Sequence, residues 1–379
     1  MGLRPHYLLD LVAGIVAVLT LAVYWFTILR SFESARTRFW VRFASVVAAL
    51  IVTVGVMIAP VRIGSHFPNV FVQWIRCFAI FVTAWVLYSI PVVVALFATG
   101  AHKPGRRRVL KTAATLVISA PPVLAAAAFI RREELTFKEV EVFIPGLPRD
   151  LNGLRLVQIS DIHLSPFVSE SLLARAIAMA NDTKAHIAFV TGDLISRVGD
   201  PLDLCIQHLS RLRSDAGTIG CLGNHEIYAG AQDYTTVEGA KVGMRFLRRQ
   251  SQTLRFGDSM LNLVGVDYQR RGSKYLVGAE DLIVPGATNI LLSHNPDVFP
   301  VAAAQGFDLT ISGHTHGGQV NFEILEQGVN IARFFTPYVY GHYVHDDRSL
   351  FVTRGIGTVG APARLGAPPE VALIRLCAS

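Results

Sequence analysis

Downstream of residue 150, apolar and β-branched runs end again and again in Asp, Asn or His. The runs are Leu154–Ser160, His186–Thr191, Thr218–Leu222, Asn289–Leu292 and Leu309–Ser312. They lead into Asp161-Ile162-His163, Gly192-Asp193, Gly223-Asn224-His225-Glu226, Ser293-His294-Asn295 and Gly313-His314-Thr315-His316-Gly317-Gly318. Short apolar runs bounded by turn residues read as buried strands. A chain that closes buried strands with such side chains gathers ligands at one edge of a sheet. Ser171–Ala180, Leu202–Leu212 and Val237–Arg248 carry helical periodicity between the runs, so an α/β sheet is expected rather than an all-β sandwich. Further strands are expected at Met260–Val266, Ser349–Val352 and Val371–Leu376.

The residue types suit a pair of divalent cations. Carboxylate oxygens are hard anionic ligands able to bridge two ions, and neutral imidazole suits Mn, Fe, Zn or Ni. Asp161 and His163 are two residues apart, so in an extended segment both point to one face. His314 and His316 repeat that spacing in a glycine-rich turn. Asp193 is the natural bridge, Asn224 offers a neutral oxygen, and His225 is better placed as a proton donor than as a further ligand.

In order and local context these blocks resemble the calcineurin-like metallophosphoesterase superfamily, over roughly Leu151–Leu376. The tail Gly355-Ile356-Gly357-Thr358, Pro362, Arg364 and Pro369-Glu370 resembles the membrane-associated YkuE-like branch. The resemblance implies a β-sandwich flanked by helices with metals at the strand ends. It implies that Asp161, His163, Asp193 and His316 bind one metal, and that Asp193 bridges to a second held by Asn224, His294 and His314. Two divalent ions are expected, Mn first, with Fe, Zn or Ni as alternatives. Glu226 stands where many members have Asp, in a supporting role. The implied reaction is hydrolysis of a phosphate ester or pyrophosphate by a metal-bridging hydroxide, with Asp193 and His225 as catalytic residues and His225 serving the leaving group. The substrate is expected to be a phosphorylated small molecule or lipid, including lipid-linked or cell-envelope compounds. A broad phosphomonoesterase, a nucleotide phosphodiesterase and a non-catalytic metal-dependent sensor are the competing readings.

The first 130 residues differ in character. Hydrophobic residues make up 51% of the chain, and Tyr7–Leu29, Phe43–Val61, Cys77–Ala98 and Thr112–Ile130 are each long enough to cross a bilayer, which needs roughly 20 apolar residues. A four-helix transmembrane region over 1–130 is therefore expected, then a linker and edge strand over 131–150, and the metal-binding domain over 151–379. Arg and Lys between the first and second runs and between the third and fourth place those loops inside, which leaves the domain on the extracytoplasmic side of the cell membrane. Arg106-Arg107-Arg108-Val109-Leu110-Lys111 is similar to a twin-arginine export signal, and equally to a plain basic loop. The net charge of +7 is read as topological, and no nucleic-acid partner is expected, because no basic stripe interleaved with aromatics follows. Cys77, Cys205, Cys221 and Cys377 lack metal-binding spacing, and a Cys205–Cys221 disulfide stays open. His186 and His208 read as structural, His342 and His345 as pocket candidates, and Arg364 as a phosphate contact or a partner of Glu370.

Overall fold

The computed structural model describes residues 104–324 and 327–379, with Phe39, Trp74, Cys77, Phe81, Val82 and Trp85 as isolated positions before them. The chain divides into two units, Met1–Ala126 and Ala127–Ser379. Helix α1 (Pro104–Arg131) begins within the residues of the first unit and ends within those of the second.

The expected four-helix transmembrane region is corrected here: among the described residues no helix is long and apolar enough to cross a membrane. The run Thr112–Ile130 falls inside α1, whose first turns carry Arg106, Arg107, Arg108 and Lys111 and whose middle holds Pro121 and Pro122. Those prolines remove two backbone donors from the helical ladder. The runs Tyr7–Leu29, Phe43–Val61 and Cys77–Ala98 lie outside the described residues, apart from the isolated positions.

The second unit begins its strands with β1 (Thr136–Ile144), β2 (Arg155–Ile159), β3 (Ile187–Thr191), β4 (Thr218–Cys221), β5 (Met244–Phe246), β6 (Gln250–Phe256) and β7 (Ser259–Gly265). There follow β8 (Thr288–Leu292), β9 (Leu309–Ser312), β10 (Asn321–Ile324), β11 (Gln327–Asn330), β12 (Gly341–His345), β13 (Arg348–Val352) and β14 (Glu370–Ala378). Its helices are α2 (Glu170–Asp182), α3 (Leu202–Leu209), α4 (Asn224–Ala229), α5 (Gln232–Lys241) and α6 (Phe299–Gln305).

One six-stranded sheet has the order β1-β14-β2-β3-β4-β5, the other β12-β13-β9-β8-β7-β6, and β10-β11 is a separate hairpin. Strands β2 to β5 are parallel, as are β7, β8, β9 and β13. The two sheets pack face to face. Leu156, Ile187, Phe189 and Ile219 of the first meet Leu261, Leu263, Ile290, Leu292 and Ile311 of the second. The opposite face of the first sheet, with Val157, Ile159, Ala188 and Val190, is covered by Leu172, Leu173 and Ile177 of α2 and Ile206 and Leu209 of α3. On the far side of the second sheet, Val264 and Leu291 pack on Val298, Ala302 and Phe307. Both faces of the central strands are thus buried, which is why those runs are continuously apolar rather than alternating.

One element differs from its expected form. The helical pattern over Val237–Arg248 is split: α5 ends at Lys241, the chain turns at Gly243, and Met244–Phe246 pairs in parallel with β4. Burial of Met244 and Phe246 in the first core outweighs the local helical preference. Cys205 and Cys221 are buried free thiols, so they form no disulfide.

Phe189 is fully buried between the sheets. Phe189→Ala should cost about 3–5 kcal/mol, seen as a lower urea midpoint at unchanged slope. An unchanged midpoint would contradict the packed sandwich.

Candidate metal centre

The ends of β2, β3 and β4 from one sheet and of β8 and β9 from the other converge on one buried cluster. Backbone bonds fix the convergence. Asp161 N–H donates to Gly192 O (3.0 Å), His163 N–H to Asp193 O (2.9 Å), and Gly313 N–H to His294 O (3.2 Å). Asp161 (φ 51°), His163 (φ 48°), Asp193 (φ 54°), His314 (φ 77°) and His316 (φ 52°) all adopt the left-handed region. Non-glycine residues there cost about 1–3 kcal/mol each. Each reversal lets the chain leave its strand while the side chain turns back over the strand end.

The glycines allow the close approach. A Cβ on Gly223 would lie 2.1 Å from Asp193 Oδ1, and one on Gly192 would lie 2.4 Å from Gly223 N. Glu226 fastens the same turn, since its buried carboxylate accepts from Asp193 N–H (3.0 Å), Leu194 N–H (2.7 Å) and Gly223 N–H (2.8 Å). The last bond is half of a capping box at the start of α4. Burial, then the nearby Asp193, raises the Glu226 carboxyl above its ordinary range.

Three groups of side chains place their ligand atoms within 4.8 Å of one another: Asp161, His163 and His316; His163, Asp193 and His225; and Asp193, His294 and His314. His163 Nε2 and His316 Nε2 are 3.1 Å apart. His294 Nε2 is 3.0 Å from Asp193 Oδ2, and His163 Nε2 is 3.5 Å from the same oxygen. His294 Nδ1 faces the Thr191 carbonyl at 2.7 Å and must donate to it, which leaves Nε2 for the cluster. His225 Nδ1 likewise donates to Ser196 O (2.5 Å), and the ring meets His163 edge-on at 4.6 Å.

Burial pushes His163 down to about 3 and His314 to about 4, and holds His316 well below its ordinary value. These imidazoles are therefore neutral near pH 7 and keep a lone pair. Burial also opposes the charge on His294, but Asp193 and then Asp161 outweigh it and hold His294 up to about 10. Burial would raise Asp193, yet His294, His163 and His225 keep it below the carboxylate range, whereas burial raises Asp161. The donor set fits divalent cations. It combines carboxylates, neutral imidazoles and the amide oxygen Asn224 Oδ1, which is buried without a hydrogen-bond donor.

Other residues fall outside the cluster. His186 Nδ1 accepts from Arg155 N–H (2.9 Å), and His208 Nε2 faces Glu170 (3.3 Å). His342 faces Ser349 Oγ at 3.0 Å, and the exposed His345 faces Asp346. Arg364 is buried and makes no ion pair with Glu370, which instead faces Arg354 Nε at 3.8 Å. Reading the sequence missed Ser196, whose Oγ lies 3.1 Å from His163 Nδ1. It also missed Tyr268, whose ring centroid is 5.2 Å from that of His314, and Tyr228, 5.6 Å from His225. Tyr268 sits in a segment without periodicity or motif, and Tyr228 follows the Gly223–Glu226 block within α4, where its place one turn after His225 is the signal that could have marked it.

The calcineurin-like phosphoesterase profile matches residues 154–318. An uncharacterized metallophosphoesterase of Campylobacter jejuni is 32% identical over 63% of this chain and 62% of its own length. A transmembrane protein with metallophosphoesterase domain from Danio rerio is 30% identical, over 63% of this chain and 56% of its own. The uncharacterized metallophosphoesterase YkuE of Bacillus subtilis is 28% identical, over 61% of this chain and 81% of its own. The chain thus spans only 62% and 56% of the first two relatives.

Glu226→Ala leaves three buried N–H groups without an acceptor, at about 1–3 kcal/mol for a buried orphan. It should lower the urea midpoint and Mn²⁺ uptake together, and Glu226→Gln should recover part of both. Normal stability in Glu226→Ala would contradict the role given to this carboxylate.

Proposed function

This chain belongs to the calcineurin-like phosphoesterases, in the branch that includes YkuE, and we propose on that premise that it is a metal-dependent phosphohydrolase. The observation that carries the reading is the shared position of Asp193 in two of the three ligand groups. Asp161, His163, Asp193 and His316 would hold one divalent cation, and Asp193, Asn224, His294 and His314 the other. Mn is the first candidate, with Fe, Zn or Ni also suited. When bound, such a pair lowers the pKa of water and neutralises phosphate oxygens on both sides of an in-line displacement.

The chain's own residues supply the rest. Asp193 sets the spacing of the two ligand groups and is held by Glu226 and by the N–H of His225, 2.9 Å from its Oδ1. His225 has Nδ1 anchored on Ser196 O, so Nε2 is the nitrogen left to hand a proton to a departing oxygen. The Tyr268 ring packs beside His314, with centroids 5.2 Å apart. Its hydroxyl is pushed up to about 12 by burial, so it stays protonated and can donate.

We read the protein as membrane-associated, with the site on the extracytoplasmic side and a lipid-linked or cell-envelope phosphate ester or pyrophosphate as substrate. The name of the Danio rerio relative and the apolar first third of the sequence support that reading. Hydrolysis by the full chain with Mn²⁺ tests it, on bis-p-nitrophenyl phosphate, p-nitrophenyl phosphate and a lipid pyrophosphate. Preference for the lipid pyrophosphate is expected. Equal turnover of the simple esters would favour a broad phosphomonoesterase or phosphodiesterase, and no turnover of any would contradict the hydrolase.

His225→Ala should retain the cations and lose about 10²–10⁴-fold in turnover; loss of metal in step with activity would contradict the proton-donor role. Asp193→Asn should abolish uptake of both cations. His294 keeps its proton to about pH 10 before metal arrives, so a cation must displace it. Mn²⁺ affinity should therefore rise between pH 6 and 9. Calorimetry in buffers of different ionisation enthalpy should read about one proton released at His294. A pH-independent affinity would contradict that displacement.

A further inference from the structure

We propose that Arg364 is a positioning residue that holds the His316 imidazole in place by clipping the closing loop onto the His316 turn. Arg364 is the largest fully buried side chain among the described residues, 1% exposed. Its Nε donates to Gly357 O (3.0 Å), and Nη1 donates to Ala367 O (3.1 Å) and His316 O (3.3 Å). Nη2 donates to Gly357 O and Gly355 O and faces His316 Nδ1 at 3.2 Å.

All five guanidinium donors are thereby engaged inside the protein. A substrate phosphate has none left to meet, and the side chain does not reach the surface. The Glu370 carboxylate is engaged elsewhere, accepting from Thr353 Oγ1 (3.0 Å) and Arg354 N–H (2.9 Å). The charges of Asp161 and Glu370 help offset the buried charge, and its direct partners are a ring of carbonyl dipoles that belong to two separate segments. Gly355, Gly357 and Ala367 lie between β13 and β14, and His316 follows β9. The β13–β14 segment is also tied to the Asp161 turn, through Ile356 N–H to Ser160 O (3.0 Å) and Gly357 N–H to Asp161 O (2.6 Å).

Arg364 therefore sits behind two of the residues assigned to one cation, Asp161 and His316. None of its contacts reaches Asn224, His294 or His314. That asymmetry gives a signature that a general packing role lacks. A planar fork is required, because the ammonium of Lys has three donors on one point and cannot span carbonyls of both segments.

The test is Mn²⁺ titration of the full chain, followed by calorimetry and electron paramagnetic resonance, for wild type, Arg364→Lys, His316→Ala and the double variant. Arg364→Lys should weaken one of the two Mn²⁺ steps by about 10–100-fold, the usual effect of losing a support behind a ligand. The other step should stay within about twofold. In the His316→Ala background the Lys substitution should add no further loss, because the two act through one imidazole. Additive losses, equal weakening of both steps, or no change in either would overturn the proposal. So would loss of the circular dichroism of the fold in Arg364→Lys, which would make Arg364 a general fold residue. The inference rests on the dinuclear reading of the site. A wild-type chain that takes up no Mn²⁺ would end that reading itself, whereas wild-type uptake with an unaffected Arg364→Lys ends only the role assigned to Arg364.

Discussion

The Asp193 carboxylate stands where the strand ends of two sheets meet, with His225 N–H donating to Oδ1 at 2.9 Å. His294 and His163 nitrogens face Oδ2 at 3.0 and 3.5 Å. A buried anion is costly unless it is paired and hydrogen-bonded. Here the pairing partners come from β2, β8 and the start of α4, so satisfying one carboxylate requires both sheets to be in register. The sandwich core and the site are therefore one construction problem. The apolar faces bring the sheets together, and the polar strand ends determine where they stop.

That requirement explains the backbone at the site. Five of the residues around the cluster adopt left-handed angles, a conformation that side chains other than Gly, Asn and Asp rarely take. Such strain persists only where surrounding structure over-determines it. Glu226 does so for the Asp193 turn, and the loop that follows β13 does so for the Asp161 turn. Both supports act on backbone N–H or C=O groups, so they hold the turns that carry the clustered Asp and His residues through the main chain alone.

The strand ends were legible in the sequence because chemistry and periodicity coincide there. A buried run closing in Asp-x-His or His-x-His has few structural uses. Asp161, His163, Asp193, His225, His294, His314 and His316 all come together in the cluster. Asn224 was legible only through its place beside His225. Val237–Arg248 was misread because Met244 and Phe246 obey a sheet contact that only the fold supplies. The transmembrane expectation rested on run length and apolar content, and α1 carries two prolines inside the run that was expected to span and four basic residues just before it. In the sequence Arg364 reads as a phosphate contact or a partner of Glu370. Its true neighbours are carbonyls, which every residue possesses and no sequence pattern displays.

The central proposal is that the strand ends would hold two cations that share Asp193. Anomalous diffraction from Mn²⁺-loaded crystals of the full chain tests it most directly. Two peaks about 3.5–4 Å apart, with Asp193 in contact with both, are the expected result. A single peak, or two peaks that do not share Asp193, would contradict it.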